Sequence, residues 1–356
     1  MMSWPADPDS LLAGPRGRRL CWALAAGMGD SGQRLGGPAW RQVQTDSLPS
    51  DPADLASELA AAVGQTDWAS AAAGMSDLDL IESLAESVAS AMPWQEPDTG
   101  DRALAHPEVA DTLRPVARAV TSAPAARWWS SGLDPGTQQY VESLLRSDEG
   151  PPLTGAAGRL EKWLATEAEE ERSAAERPTD PTAPYSGYWW SSPTWARLAD
   201  TTRALPGLGP LQLFAMEDWP GWAEVRCWPV TPDRPARICE ITGPDDWVAL
   251  VARYPLEVTK SRRHDWWRVT GWAGPWLMPD YAAAAADYDA VHLPVGGYLT
   301  TAGRALAVND ARCLLAGWDP DQTYWLADVL AGVGPSVLWI RDDSVHLGWR
   351  QADSSL

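Results

Sequence analysis

The chain has 356 residues, with 48 Asp and Glu against 28 Lys and Arg, for a formal net charge of −20. So large an acidic excess excludes a sequence-blind nucleic-acid binder, which needs surplus Lys and Arg to displace phosphate counterions. A hydrophobic content of 45% with 21% charged residues excludes a mostly disordered chain, and at about 150 residues per domain the length predicts two domains.

The N-terminal run Met1–Asp7 lacks the basic and apolar regions of a signal peptide. The first half then reads as helices broken by Pro and Gly. Met28 to Pro49 has weak periodicity and reads as a loop. Asp51-Pro52 opens a helix carrying Leu55, Leu59 and Val63 four residues apart. Ser76 and Asp79 have capping-box spacing ahead of Leu78, Ile81, Ala85 and Val88 on one stripe. Pro107-Glu108 starts a third helix with Val109, Leu113, Val116 and Val120, and Pro115 is placed to kink or split it. A fourth is expected from about Pro135 through Val141, Leu144 and Leu145. A fifth runs from about Ala156 through Leu160, Trp163 and Leu164 into Glu167–Arg172, which reads as a solvated acidic face.

Three prolines in Pro178–Pro184 oppose both helix and central strand. They divide the chain into a helical domain 1–177, a linker 178–184 and a Trp-rich domain 185–356. Charge follows the same division, net −14 before residue 185 and net −6 from it, and 15 of the 23 tryptophans come after the linker. Strands are expected at Leu211–Phe214, Glu224–Val230, Ala236–Ile241, Ala290–Val295 and Ala311–Ala316. Helices start at Thr242-Gly243-Pro244-Asp245 and at Pro279-Asp280. Val337–Arg341 and Val345–Trp349 flank Asp342-Asp343-Ser344 as a β-hairpin. Mixed order without strict βαβ alternation predicts α+β: a helical N-terminal domain followed by a mixed domain with a small sheet.

Twenty-three tryptophans, one phenylalanine (Phe214) and two lysines (Lys162 and Lys260) match the codon bias of a GC-rich genome. Each buried indole brings an N–H that needs a partner, so the core should carry many polar anchors. Cys21, Cys227, Cys239 and Cys313 form no CxxC pair, and the four histidines have no metal-ligand spacing, so no metal site is expected. Without a run of about 18 apolar residues, a membrane is excluded as a partner. Together these features predict a cytoplasmic protein with reduced thiols.

Three stretches carry candidate chemistry. In Gly317-Trp318-Asp319-Pro320-Asp321-Gln322-Thr323, Asp-x-Asp-x-Thr follows an apolar strand, like the first motif of the haloacid dehalogenase phosphatases. Only 33 residues follow Thr323, too few for that family's later motifs, so an Asx-type turn capping a following helix is the better reading. Lys260–Arg268 is the most basic stretch of an acidic chain. Arg262 and Arg263 could present guanidinium forks to a pyrophosphate, with Trp266 or Trp267 stacking on a base, and the alternative is a salt-linked network over packed Trp. His292 lies on a strand, where it could act as a general base or be a core histidine satisfied by a carbonyl.

The segment from Tyr188-Trp189-Trp190-Ser191-Ser192-Pro193 to Trp318-Asp319-Pro320-Asp321-Gln322-Thr323-Tyr324-Trp325-Leu326 resembles a group of uncharacterised, Trp-rich actinobacterial proteins, a likeness that implies no activity. In order and size, the C-terminal half also resembles ADP-ribosyltransferase-type folds. That likeness implies NAD as cofactor, Arg203 in its recognition, and Asp319 or Asp321 stabilising a ribosyl cation. The Glu/Gln-x-Glu pair and the Ser-Thr-Ser strand of that family are absent here. Two functions follow as expectations. One is an NAD- or nucleotide-binding enzyme with His292, Asp319 and Asp321 as catalytic groups and Arg203, Arg262, Arg263 and Trp266 binding the cofactor. The other is a non-catalytic module that engages an unidentified protein partner through exposed Trp and Arg.

Overall fold

The computed structural model describes residues 7–27, 51–143 and 150–352, so the expected loop at Met28–Pro49 lies outside the described residues. Asp7 caps α1 (Pro8–Ala13) by accepting the Asp9 N–H, and α2 (Pro15–Gly27) begins one residue after α1 ends. Asp51 caps α3 (Pro52–Gly64), followed by α4 (Trp68–Gly74). In α5 (Asp77–Ala89) the capping box is complete: the Ser76 hydroxyl accepts the Asp79 N–H, and the Asp79 carboxylate accepts the Ser76 N–H. After α6 (Thr99–Leu104), α7 (Pro107–Ser122) runs unbroken through Pro115. Full burial of Val109, Leu113, Val116 and Val120 holds that helix together across the missing N–H.

The second half alternates short elements. In chain order they are β1 (Gln138–Ser143), α8 (Ala156–Ser173), β2 (Asp200–Leu205), β3 (Gly209–Pro210), β4 (Glu224–Pro232), β5 (Ile238–Glu240), α9 (Pro244–Arg253), β6 (Pro255–Glu257), α10 (Thr259–Thr270) and β7 (Trp276–Pro279). They continue with α11 (Tyr281–Ala284), β8 (Ala290–Leu293), α12 (Val295–Thr301), β9 (Leu306–Val308), β10 (Ala311–Cys313), β11 (Gln322–Trp325), β12 (Leu330–Val333), β13 (Val337–Arg341) and β14 (Trp349–Gln351). One sheet runs β14-β13-β4-β1-β2-β11-β8-β5, with β12 added to β4 and β3 to β2. A second runs β6-β7-β10-β9. The class is α+β.

Several expectations need correction. The helix expected from Pro135 is a strand over Gln138–Ser143, with Leu144 and Leu145 outside the described residues: β1 pairs antiparallel with β2 and β4, and this pairing overrides the apolar spacing. Leu211–Leu213 is a 3-10 turn. Asp319-Pro320-Asp321 leads into strand β11, so it caps no helix. The hairpin β13–β14 forms, but its second strand starts at Trp349 because a 3-10 turn takes up His346–Gly348.

β1 comes from before the Pro-rich stretch and sits between two strands that come after it, so the sheet spans the 178–184 division. The apolar core spans it as well, joining Leu11, Leu20, Leu84 and Val116 of the helices to Tyr298, Leu314 and Leu326. No helix among the described residues is long and apolar enough to cross a membrane.

Candidate functional site

Arg203, His292 and Asp321, which lie far apart in sequence, come together on adjacent strands. His292 on β8 sits with Nδ1 2.6 Å from Glu240 Oε2 on β5 and Nε2 3.3 Å from Asp321 Oδ1 at the start of β11. Asp321 in turn accepts the Arg203 backbone N–H at 3.1 Å and lies 3.3 Å from the Arg203 guanidinium on β2. The charges alternate along the strand order β2-β11-β8-β5. Burial opposes the charged imidazole, but the two flanking carboxylates outweigh it and push the His292 pKa up to about 9. At neutral pH both ring nitrogens therefore donate, leaving His292 no lone pair with which to act as a base.

A loop from the helical half closes this row. The Leu133 N–H donates to Glu240 Oε1 at 2.8 Å, Asp134 lies 3.8 Å from Arg203, and the Trp128 ring lies 5.2 Å beneath the Arg203 guanidinium. The arrangement ties four strands together and leaves little of its polar surface for a ligand. Among the described residues no three His, Cys, Asp or Glu side chains are placed to share a metal ion.

The expected pyrophosphate forks are also engaged. Arg262 is buried, with Nη2 2.7 Å from the buried Glu167 and two further bonds to the Trp190 carbonyl. Glu167 therefore points inward, away from the solvated face its sequence suggests. Trp266 is fully buried and donates its indole N–H to the Trp189 carbonyl at 2.7 Å. Half-buried Arg263 donates to the Lys260 carbonyl. Trp68 and Trp325 are anchored likewise, to the Val63 carbonyl and the Thr201 hydroxyl.

Asp319 faces the other way from Asp321. Its carboxyl accepts from Gln212 Nε2 at 2.9 Å and from the Glu217 N–H at 2.8 Å, and burial pushes its pKa up to about 8. Glu217 is itself buried. It accepts from the Tyr298 hydroxyl at 2.8 Å and from the Gly317 N–H at 2.9 Å, and burial raises its pKa to about 6. Gly317 has φ of 73°, and a Cβ there would lie 2.4 Å from the Trp190 ring, so the turn that aims its N–H at Glu217 requires glycine.

Glu217 opens onto a cavity of about 270 Å³ between the N-terminal helices and the Leu314–Ala316 segment, with Met92, 50% exposed, on its wall. Gly303 lets the two sides meet, since it has φ of 77° and a Cβ there would lie 2.9 Å from the Pro15 ring. Four arginines line this space. Arg16 bonds the Ser87 carbonyl and the Ser90 hydroxyl and lies 3.8 Å from Asp101, while Arg102 bonds the Pro97 carbonyl. Among the described residues, Arg18 bonds only the carbonyls of Leu12 and Ala13, and its buried Nε has no partner. Arg304, among the described residues, bonds only the Thr300 carbonyl. The nearby carboxylates Asp98 and Asp101 are taken by Arg19. Burial lowers the pKa of Arg18 and of Arg304, so both are cations held where charge is disfavoured. Sequence reasoning missed this site because its residues come from six separated segments with no local motif. The one signal was Arg16-Gly17-Arg18-Arg19, a basic cluster in an acidic chain.

No protein-family model, no curated protein and no solved structure matches the chain.

Proposed function

We propose that the chain binds a small organic anion, a carboxylate or a phosphate ester, in the cavity between the N-terminal helices and Leu314–Ala316, with Glu217 as its proton-transfer group. The observation that carries this reading is the pair Arg18 and Arg304. Both lie on the cavity wall, both are destabilised as cations by burial, and among the described residues neither has a carboxylate within ion-pair distance. An anion entering between them would regain the charge pairing that the fold withholds. Apolar lining from Pro15, Pro93 and Leu314 would shield that pairing from water.

Glu217 supplies the chemistry. With a pKa of about 6 it changes protonation near neutral pH, and a bound anion beside it would favour the protonated form. In that state it donates to the ligand, while the Tyr298 hydroxyl and the Gly317 N–H hold its orientation. The cavity is smaller than the ~300–1,000 Å³ typical of drug-sized ligands, which favours a compact acid over a dinucleotide such as NAD.

Titration calorimetry at pH 6 with acetate, succinate, inorganic phosphate and glycerol 3-phosphate tests the reading. At least one should bind, and Arg18→Ala with Arg304→Ala should weaken it at least tenfold, in line with the ~2–5 kcal/mol lost when a hydrogen-bonded charge pair is broken. No binding at 10 mM, or equal binding by the double variant, would refute it.

A further inference from the structure

A second cavity, of about 260 Å³, lies on another part of the molecule, between α8 and the 3-10 turn at Thr194–Ala196. Arg159, Lys162, Trp163, Thr166 and Glu167 line one side. They recur at helical spacings of three and four, so a single face of α8 forms the wall. Trp195 and Arg197 form the other side.

Three properties separate this groove from an ordinary charged surface. First, it gathers three cations in a chain of net charge −20, and one of them is among only two lysines. Among the described residues, Arg159, Lys162 and Arg197 have no carboxylate within ion-pair distance, and the lining carboxylate, Glu167, is neutralised by Arg262. Second, Trp195 is 53% exposed, where most of the chain's tryptophans are packed away. Trp190 packs edge-on against this indole at 5.3 Å between ring centroids, which still leaves half of Trp195 open to solvent beside the unpaired cations. Third, Arg197 adopts φ of 54°, a left-handed conformation unfavourable for a side chain with a Cβ. Trp163 adds a buried indole N–H without a partner on the same wall.

We propose that this groove binds a phosphate ester carrying a planar ring, the nucleoside monophosphate class. Lys162, Arg197 and Arg159 would take the phosphate, and Trp195 would pack against the ring. The cavity's volume suits one ring and one phosphate better than a dinucleotide. The site is independent of the Arg18–Arg304 cavity and shares no lining residue with it.

Calorimetry with AMP, and with ribose 5-phosphate and adenosine as controls lacking the ring or the phosphate, decides the matter at low salt. AMP should bind at least tenfold more tightly than either control. Trp195→Ala should lower AMP affinity to that of ribose 5-phosphate. Lys162→Ala with Arg197→Ala should weaken AMP and ribose 5-phosphate alike by tenfold or more. All these residues are exposed, so unchanged melting temperatures would show that the variants fold. The Arg18→Ala and Arg304→Ala variant should bind AMP as wild type does, and loss of AMP there would move the ligand to the other cavity and overturn the proposal. So would AMP binding no tighter than ribose 5-phosphate, AMP binding unaffected by the groove variants, or a groove that takes only an acidic peptide.

Discussion

His292 shows how a residue with the right type for catalysis acquires a structural role. A lone strand histidine could accept a proton, but between Glu240 and Asp321 it is held as a cation with a pKa of about 9. Because this exceeds the ordinary value near 6.5, the stabilisation is fully present below pH 6.5 and is lost as pH rises through 9. A shift of this size corresponds to on the order of 3 kcal/mol. Urea unfolding at pH 6 and pH 9.5 should therefore show wild type losing more stability than His292→Gln. Parallel losses would contradict the charged state. Buried Asp319 also lowers stability with rising pH, between its ordinary range and about 8, so the difference between the two proteins is the informative quantity. Arg262 gives a second residue-scale expectation. Arg262→Ala would strand the buried Glu167 and cost roughly 3–5 kcal/mol, whereas Arg263→Ala should change unfolding free energy by less than about 1 kcal/mol. Equal effects in denaturant titrations would refute this division of labour.

At the scale of elements, legibility followed how local the determining physics is. Asp51 and the Ser76–Asp79 box announce their helices because capping is settled within four residues. The α9 start at Pro244 and the β13–β14 hairpin are marked by equally local signals. β1 is not legible locally because Val141 fits a helical stripe as well as a strand, and what decides is pairing with β2 and β4, 60 or more residues away in sequence. The same limit applies to the sites. Arg203, His292 and Asp321 could be named as a group, but not the Leu133–Asp134 loop that closes over them. Glu217 is not legible in the sequence because its raised pKa comes from burial, which no neighbouring residue reveals.

At the scale of the whole molecule, the helices and the sheet share strand β1 and one apolar core. Without β1, the β14-β13-β4 side of the sheet loses its link to β2-β11-β8-β5, and both new edges become exposed. Residues 185–356 expressed alone should therefore lack a cooperative thermal transition and aggregate. A sigmoidal melt at the temperature of the full chain would show that the second half folds by itself. The shared architecture also explains where the larger cavity lies. It forms where the α1–α2 corner meets Gly303 and Leu314–Ala316, so ligand binding there should couple the two halves.

The central claim is that an anion enters this cavity beside a carboxyl group with a pKa of about 6. Proton uptake on binding tests it most directly, measured at pH 6.5 by calorimetry in buffers of different ionisation enthalpy. A bound anion should raise the Glu217 pKa further, so wild type should take up a substantial fraction of a proton from solution. Glu217→Gln should bind the same ligand with almost no uptake. Equal uptake by the two proteins would contradict the account and remove Glu217 from the site.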